Sequence, residues 1–302
     1  MFFQSPAPYI SNDLFLFYSD IIFTEQYSYE TANKMINDVI LDKKIVVFVK
    51  TELLFYYYRI LLNIPYEYIL ITTCNDDFCV PYIHFPCKSD IKNQGTQLLE
   101  CTQLIQWYTK NPCILHPKLK AIPLGVKWQY HSHDFFGEDK KPIIEVLNRY
   151  CLSPKASFEN DLKVNLLYFN FGKTNYSAFF ESHQDIRGKL EDMFLEKGFK
   201  KNEPAQFENY LQDLRTHKFS LCPPGRGIDT HRIWETLMVG TIPVLISSPL
   251  DPLFEHLPVL ILSDWSIITE TYLNEKYTDI RNSSYDYSIL YSDYWKELFT
   301  KR

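Results

Sequence analysis

Between Lys218 and Ser248 the chain reads KFSLCPPGRGIDTHRIWETLMVGTIPVLISS, and few folds accommodate it. Phe219 to Cys222 is a short apolar run, broken by Pro223, Pro224, Gly225 and Gly227. Asp229 or Thr230 then caps a helix that passes through Glu235 and Met238 and ends at Gly240. Thr241 to Ile246 returns as an apolar, β-branched strand. Strand, turn, helix and strand in this order form the unit of a parallel α/β sheet. The turn offers backbone N–H groups, the positive end of a helix dipole, and Arg226 and Arg232, a combination that suits a diphosphate. Glu235, on the helix surface about one turn in, can accept hydrogen bonds from ribose hydroxyls. The same pattern also occurs as plain strand-to-helix punctuation, with an Arg–Glu pair that only holds the loop.

The run CPPGRGIDTHRIWETLMVGTIPVLISS, continued by PLFEHLPVLILSDW, resembles the C-terminal half of exostosin-like glycosyltransferases, most densely over residues 215–270. The resemblance implies a GT-B fold, an α/β architecture of two Rossmann-like domains facing across a cleft. It implies a nucleotide-sugar site on the second domain, with the family's helix glutamate at Glu235. Gly225, Arg226, Gly227, Asp229, Thr230, His231 and Arg232 then belong to the donor loop and helix start, with Ser248 on a turn over the nucleotide. GIDTHRIWE looks most like xylosyltransferase-like members, among soluble viral or bacterial relatives.

With 302 residues, two domains are expected, 1–140 on the acceptor side and 141–284 on the donor side. A helix at about 285–302 is expected to cross back to the first domain, as the resemblance implies. The net charge of −6 and the lack of any Lys/Arg block argue against a nucleic-acid partner. Seven cysteines without a C-x-x-C spacing argue against a secreted disulfide framework. Cys74, Cys79, His84 and Cys87 do not match a common zinc spacing, and His131-Ser132-His133-Asp134 offers weak chelation at best. The resembled fold type generally works without a bound divalent ion, so the resemblance implies no metal and no cofactor. MFFQSPAPYISND lacks the basic and apolar segments of a signal peptide, and no run of about 18 apolar residues is present. A soluble, cytoplasmic protein is the expectation.

In chain order, residues 14–20 predict a strand, 24–41 a helix, 44–50 a strand, 51–64 a helix capped by Thr51, and 66–72 a third strand. This alternation predicts a parallel sheet covered on both faces. Ligands bind beyond the carboxyl ends of such strands, so the loop after the third makes Asp76 and Asp77 candidate bases for an acceptor hydroxyl. An Asx-stabilised turn explains the same residues without chemistry. Residues 97–110 predict a helix. His116 to Gly125 (HPKLKAIPLG) follows a pattern that recurs in the resembled group and puts His116 and Lys118 near acceptor. In the second half, residues 164–171 predict a strand. The resemblance then makes Asn170, Thr174 and Asn175 donor-side groups, followed by Arg187 on a helix.

The function this implies is inverting transfer of a sugar, xylose by closest resemblance, from a UDP-sugar to a hydroxyl of an oligosaccharide or glycoprotein glycan. Another UDP-hexose or UDP-hexuronic acid as donor, and a silent nucleotide-sugar- or glycan-binding relative, are the alternatives. Phosphorylase or epimerase chemistry on the same fold comes third.

Overall fold

The computed structural model describes residues 8–39, 44–73, 78–81, 89–127, 143–151, 153–159, 163–172 and 186–301. Two parallel sheets organise it. The first contains β1 (Ile21–Phe23), β2 (Ile45–Lys50), β3 (Tyr68–Thr73), β4 (Leu104–Thr109) and β5 (Leu119–Ala121), side by side in that order. Helices α1 (Tyr29–Asn37), α2 (Leu54–Leu62) and α3 (Ser89–Glu100) connect the first four strands. After α4 (Ile143–Tyr150) and α5 (Pro154–Glu159) comes the second sheet, β6 (Asn165–Tyr168), β7 (His217–Leu221), β8 (Ile242–Ile246) and β9 (Leu260–Leu262), again in chain order. Helices α6 (Ile186–Glu196) and α7 (Phe207–Arg215) lie between β6 and β7 in the chain, α8 (His231–Met238) between β7 and β8. Two helices, α9 (Glu270–Arg281) and α10 (Ser292–Thr300), follow β9. This is a mixed α/β fold, compatible with two Rossmann-like domains.

Local sequence explains most of these elements. In β2, IVVFV is buried at every position, as a central parallel strand requires. Ser28 caps α1 by accepting from the Thr31 N–H at 3.1 Å. Right-handed crossovers between strands in chain order place all their helices on one face. Accordingly Ala32, Ile36, Tyr57, Ile60, Leu98 and Leu99 share one buried cluster with Ile45, Val47 and Val49. The alternate side chains Val46 and Phe48 join Ile71 in a different cluster with Leu14, Phe15, Trp295 and Phe299. The second face is thus covered by segments from opposite ends of the sequence.

Three expectations are corrected. Residues 12–18 form a 3₁₀ helix, not a strand, started by Ser11 accepting from the Asp13 N–H. Residues 97–110 divide into the end of α3 and strand β4, because LIQWYT pairs with β3 on one side and β5 on the other. Thr51 does not cap α2; its hydroxyl donates to the Thr73 carbonyl at 3.1 Å and ties the ends of β2 and β3.

Among the described strands neither sheet reverses its strand order, so neither contains the crevice that such a reversal opens. Among the described residues no helix is long and apolar enough to cross a membrane.

Candidate functional site

Strands β6 and β7 lead into Asn170-Phe171-Gly172 and Pro223, and α8 starts beside these segments. Together with Lys127 from the first half, these segments enclose a cleft of about 520 Å³. Its charge is opposite to that of the chain: Lys127, Arg187 and Arg232 line it against one carboxylate, Glu235.

Arg232, in the first turn of α8, lies beside the edge-on pair of tyrosine rings, its guanidinium carbon 5.8 Å from the Tyr168 ring centre and 5.6 Å from that of Tyr210. Its Nη1 is buried with no hydrogen-bond partner, as is Oγ1 of Thr230, the residue before the helix. Arg187 reaches in from α6 and donates from Nε to the Pro224 carbonyl at 2.9 Å and from an Nη to Pro223 at 3.3 Å. Burial, and then the like charge of Arg232, lower the pKa of Arg187 to about 10. Arg232 is close enough to lower the pKa of Arg187, and two cations placed so near one another favour an anion between them.

Glu235 was expected on the helix surface, but it is only 5% exposed, because α8 is buried on nearly all sides from Ile233 onward. The Tyr210 hydroxyl donates to its Oε2 at 2.9 Å. Burial, and then the charge of Glu235, push the Tyr210 phenol well above its ordinary pKa, so it remains a donor. His231 also lines the cleft, with Nδ1 2.8 Å from the Gly125 carbonyl. A carbonyl only accepts, so Nδ1 carries a proton and donates it. Asn170 lines the cleft and donates from Nδ2 to the Glu203 carbonyl at 2.8 Å.

The remaining loop residues build the site without lining it. Gly225 N–H donates to the Gly227 carbonyl at 3.0 Å and tightens the turn. A Cβ on Gly227 would lie 2.8 Å from the side-chain amide of Asn111, so a larger residue would have to displace that amide where the first half closes on this loop. Asp229, expected to face donor, is buried beneath the loop and accepts from the Leu124 N–H at 2.7 Å and from the Trp234 indole at 2.8 Å. Arg226 is exposed and not among the lining residues. Ser248 is occupied in its own turn, its hydroxyl accepting from the Leu250 N–H and its N–H donating to Asp251.

His116 lines a separate groove of about 320 Å³ with Leu115, Lys120, Pro249 and Pro252. Lys118 belongs to the fold, donating from Nζ to the Cys101 carbonyl at 2.6 Å. Asp76, Asp77, Thr174 and Asn175 lie outside the described residues, as do Cys74, His84, Cys87 and the segment 131–134. Lys127, Tyr168 and Tyr210 had no signal in the sequence. Arg187 had only its place after the 174–175 pair.

Comparison with protein-family models and with curated proteins returned no match for this chain.

Proposed function

We propose that the chain is an inverting, UDP-sugar-dependent glycosyltransferase of the exostosin-like kind, with the two-domain GT-B arrangement and a glycan hydroxyl as acceptor. The observation that carries this reading is the Arg187–Arg232 pair at the start of α8, next to two buried polar atoms without partners, Thr230 Oγ1 and Arg232 Nη1. A diphosphate is the anion that satisfies all of them, accepting from both side chains and from the N–H groups of the first helical turn. Glu235, oriented by Tyr210, takes the ribose hydroxyls. On transfer the acceptor oxygen bonds to the anomeric carbon as the carbon–diphosphate bond breaks, and its electron pair leaves with the diphosphate. The two guanidiniums stabilise that developing charge, and the transition state is oxocarbenium-like. The acceptor proton passes to a base, which the sequence reading puts at Asp77 or Asp76. Xylose is the preferred sugar, a hexose or hexuronic acid the alternative.

Titration calorimetry and thermal-shift assays against UDP, GDP, UDP-xylose, UDP-glucuronic acid, UDP-galactose and UDP-N-acetylglucosamine, with EDTA present, test this reading. Selective stabilisation by UDP and one UDP-sugar is the expected result. Arg232→Lys keeps the charge and loses the planar fork, so UDP should bind roughly 10- to 100-fold more weakly, the scale of one charge-assisted hydrogen bond. Silence across the panel overturns the reading. Binding without turnover over a broad set of glycan acceptors would leave a nucleotide-sugar-binding relative.

A further inference from the structure

Sugar transfer to a hydroxyl needs a group that takes the proton, and few side chains around the cleft can do so. Lys127, Arg187 and Arg232 line it as cations, Asn170 offers an amide, and the Tyr210 phenol is itself a donor. Among the described residues that line the cleft, Glu235 and His231 are left as proton acceptors. Glu235 already accepts from Tyr210 and is the group assigned to the ribose.

The ring of His231 is held by the first half of the chain. Its Nδ1 donates to the Gly125 carbonyl at 2.8 Å, so Nε2 is the nitrogen that can react. Gly125 is fixed in turn: it forms an antiparallel bridge with Ser11, and the Val126 N–H donates to the Ile10 carbonyl at 2.9 Å. Beside it the Leu124 N–H donates to Asp229 at 2.7 Å, so the start of α8 grips two consecutive residues. Two positions further on, Lys127 enters the cleft, which puts His231 where the two halves meet.

We infer, on the glycosyltransferase reading above, that His231 is the base of the transfer, with Nε2 taking the proton of the acceptor hydroxyl. As the acceptor oxygen bonds to the anomeric carbon, its proton moves to Nε2 and the ring becomes an imidazolium. The carbon–diphosphate bond breaks, its electron pair leaves with the diphosphate, and the imidazolium later gives its proton to solvent. Charge favours the neutral ring beforehand. His231 opens α8 at the positive end of its dipole, and Lys127, Arg187 and Arg232 outnumber Glu235 around the cleft. Asp229, the carboxylate nearest in sequence, is engaged by Leu124 and Trp234 beneath the loop. The departing diphosphate then supplies the negative charge that stabilises the imidazolium. Asp76 and Asp77 are the competing bases.

His231→Asn keeps a side-chain N–H for the Gly125 carbonyl and removes Nε2, which separates holding the loop from taking the proton. Circular dichroism checks that the variant is folded, and calorimetry should show it binding UDP as the wild type does. Release of UDP from UDP-xylose, with water and with a panel of glycan acceptors, should fall by about 10²-fold or more. The wild-type kcat/KM should drop about tenfold per pH unit on its acid side, a limb the variant should lack. Ring-nitrogen NMR, with the variant identifying the His231 resonances, should show Nδ1 protonated and Nε2 bare at pH 8. That spectrum decides the matter even where no acceptor in the panel is turned over. A protonated Nε2 at that pH, or a variant that keeps its rate and its acid limb, would overturn the inference and put the proton on Asp76 or Asp77. Weaker UDP binding at an unchanged kcat would make His231 a donor contact instead. If the wild type does not bind UDP the transferase reading itself fails, whereas UDP binding with a protonated Nε2 removes the base alone.

Discussion

Asp229 shows how a residue placed at a site by its neighbours in sequence can serve the fold instead. An Asp just before a helix reads as a cap or a ligand contact, yet its carboxylate accepts from Leu124, 105 positions away, and from the Trp234 indole. Burial raises its pKa to about 7, against the pull of those hydrogen bonds and of the Lys110 charge. The unfolded chain would release this proton near pH 4. Between about pH 4 and 7 the folded state therefore holds the extra proton, and the contribution of Asp229 to stability falls as pH rises across that window. The fall is up to about 1.4 kcal/mol per pH unit. Urea unfolding of the wild type and Asp229→Asn from pH 4.5 to 8 should show it: the wild type loses stability relative to the variant as pH rises, then levels off above 7. A difference that is flat, or that slopes the other way, would mean that the carboxylate remains charged in the fold.

At the scale of elements, α8 was legible because its signals are local. The apolar run before it, the Pro/Gly break and the terminating glycine all fall within thirty residues. Gly240, at φ 72°, closes the helix in a Schellman arrangement, with Gly240 N–H donating to Leu237 and Thr241 N–H to Thr236. A Cβ there would also come within 2.2 Å of the Phe158 nitrogen and 2.4 Å of the Ser157 carbonyl carbon. Gly240→Ala should therefore cost about 2 kcal/mol or more, from left-handed strain plus displaced backbone in α5, read as a lower urea midpoint at unchanged slope. Thr51 and the 12–18 segment were misread because their partners, Thr73 for one and the aromatic side chains of α10 for the other, lie far away in sequence. The 97–110 segment was misread for a related reason. Its apolar residues satisfy a helical period, and only pairing with β3 and β5 makes LIQWYT a strand. The site divides along the same line. Thr230, His231, Arg232 and Glu235 share one short stretch, whereas Arg187, Tyr168, Tyr210 and Lys127 come from four separate segments that meet only in the fold.

Across the whole molecule, one apolar cluster runs from the open face of the first sheet through the second sheet to α10. Val46 and Phe48 belong to it, and so do Phe219, Val244 and Trp234. Polar contacts follow the same course: Leu124 with Asp229, Gly125 with His231, and Asn111 against Gly227. Phe299 is where this continuity can be tested. It is fully buried on α10, edge-on to Phe15 and Tyr108 and stacked with Tyr18 and Trp295. Truncating it removes packing from the first sheet at a site far along the chain from that sheet. Phe299→Ala should cost about 3–5 kcal/mol, the range for a large aromatic lost from a core. Because the cluster is continuous, the loss should be felt by both halves. Far-UV circular dichroism and tryptophan emission should then shift to the same lower midpoint in urea. UDP, if it binds the folded cleft as proposed, should raise both midpoints together by mass action. Midpoints that separate, with only one moved by UDP, would mean that the two sheets unfold as independent units and that α10 belongs to the first alone.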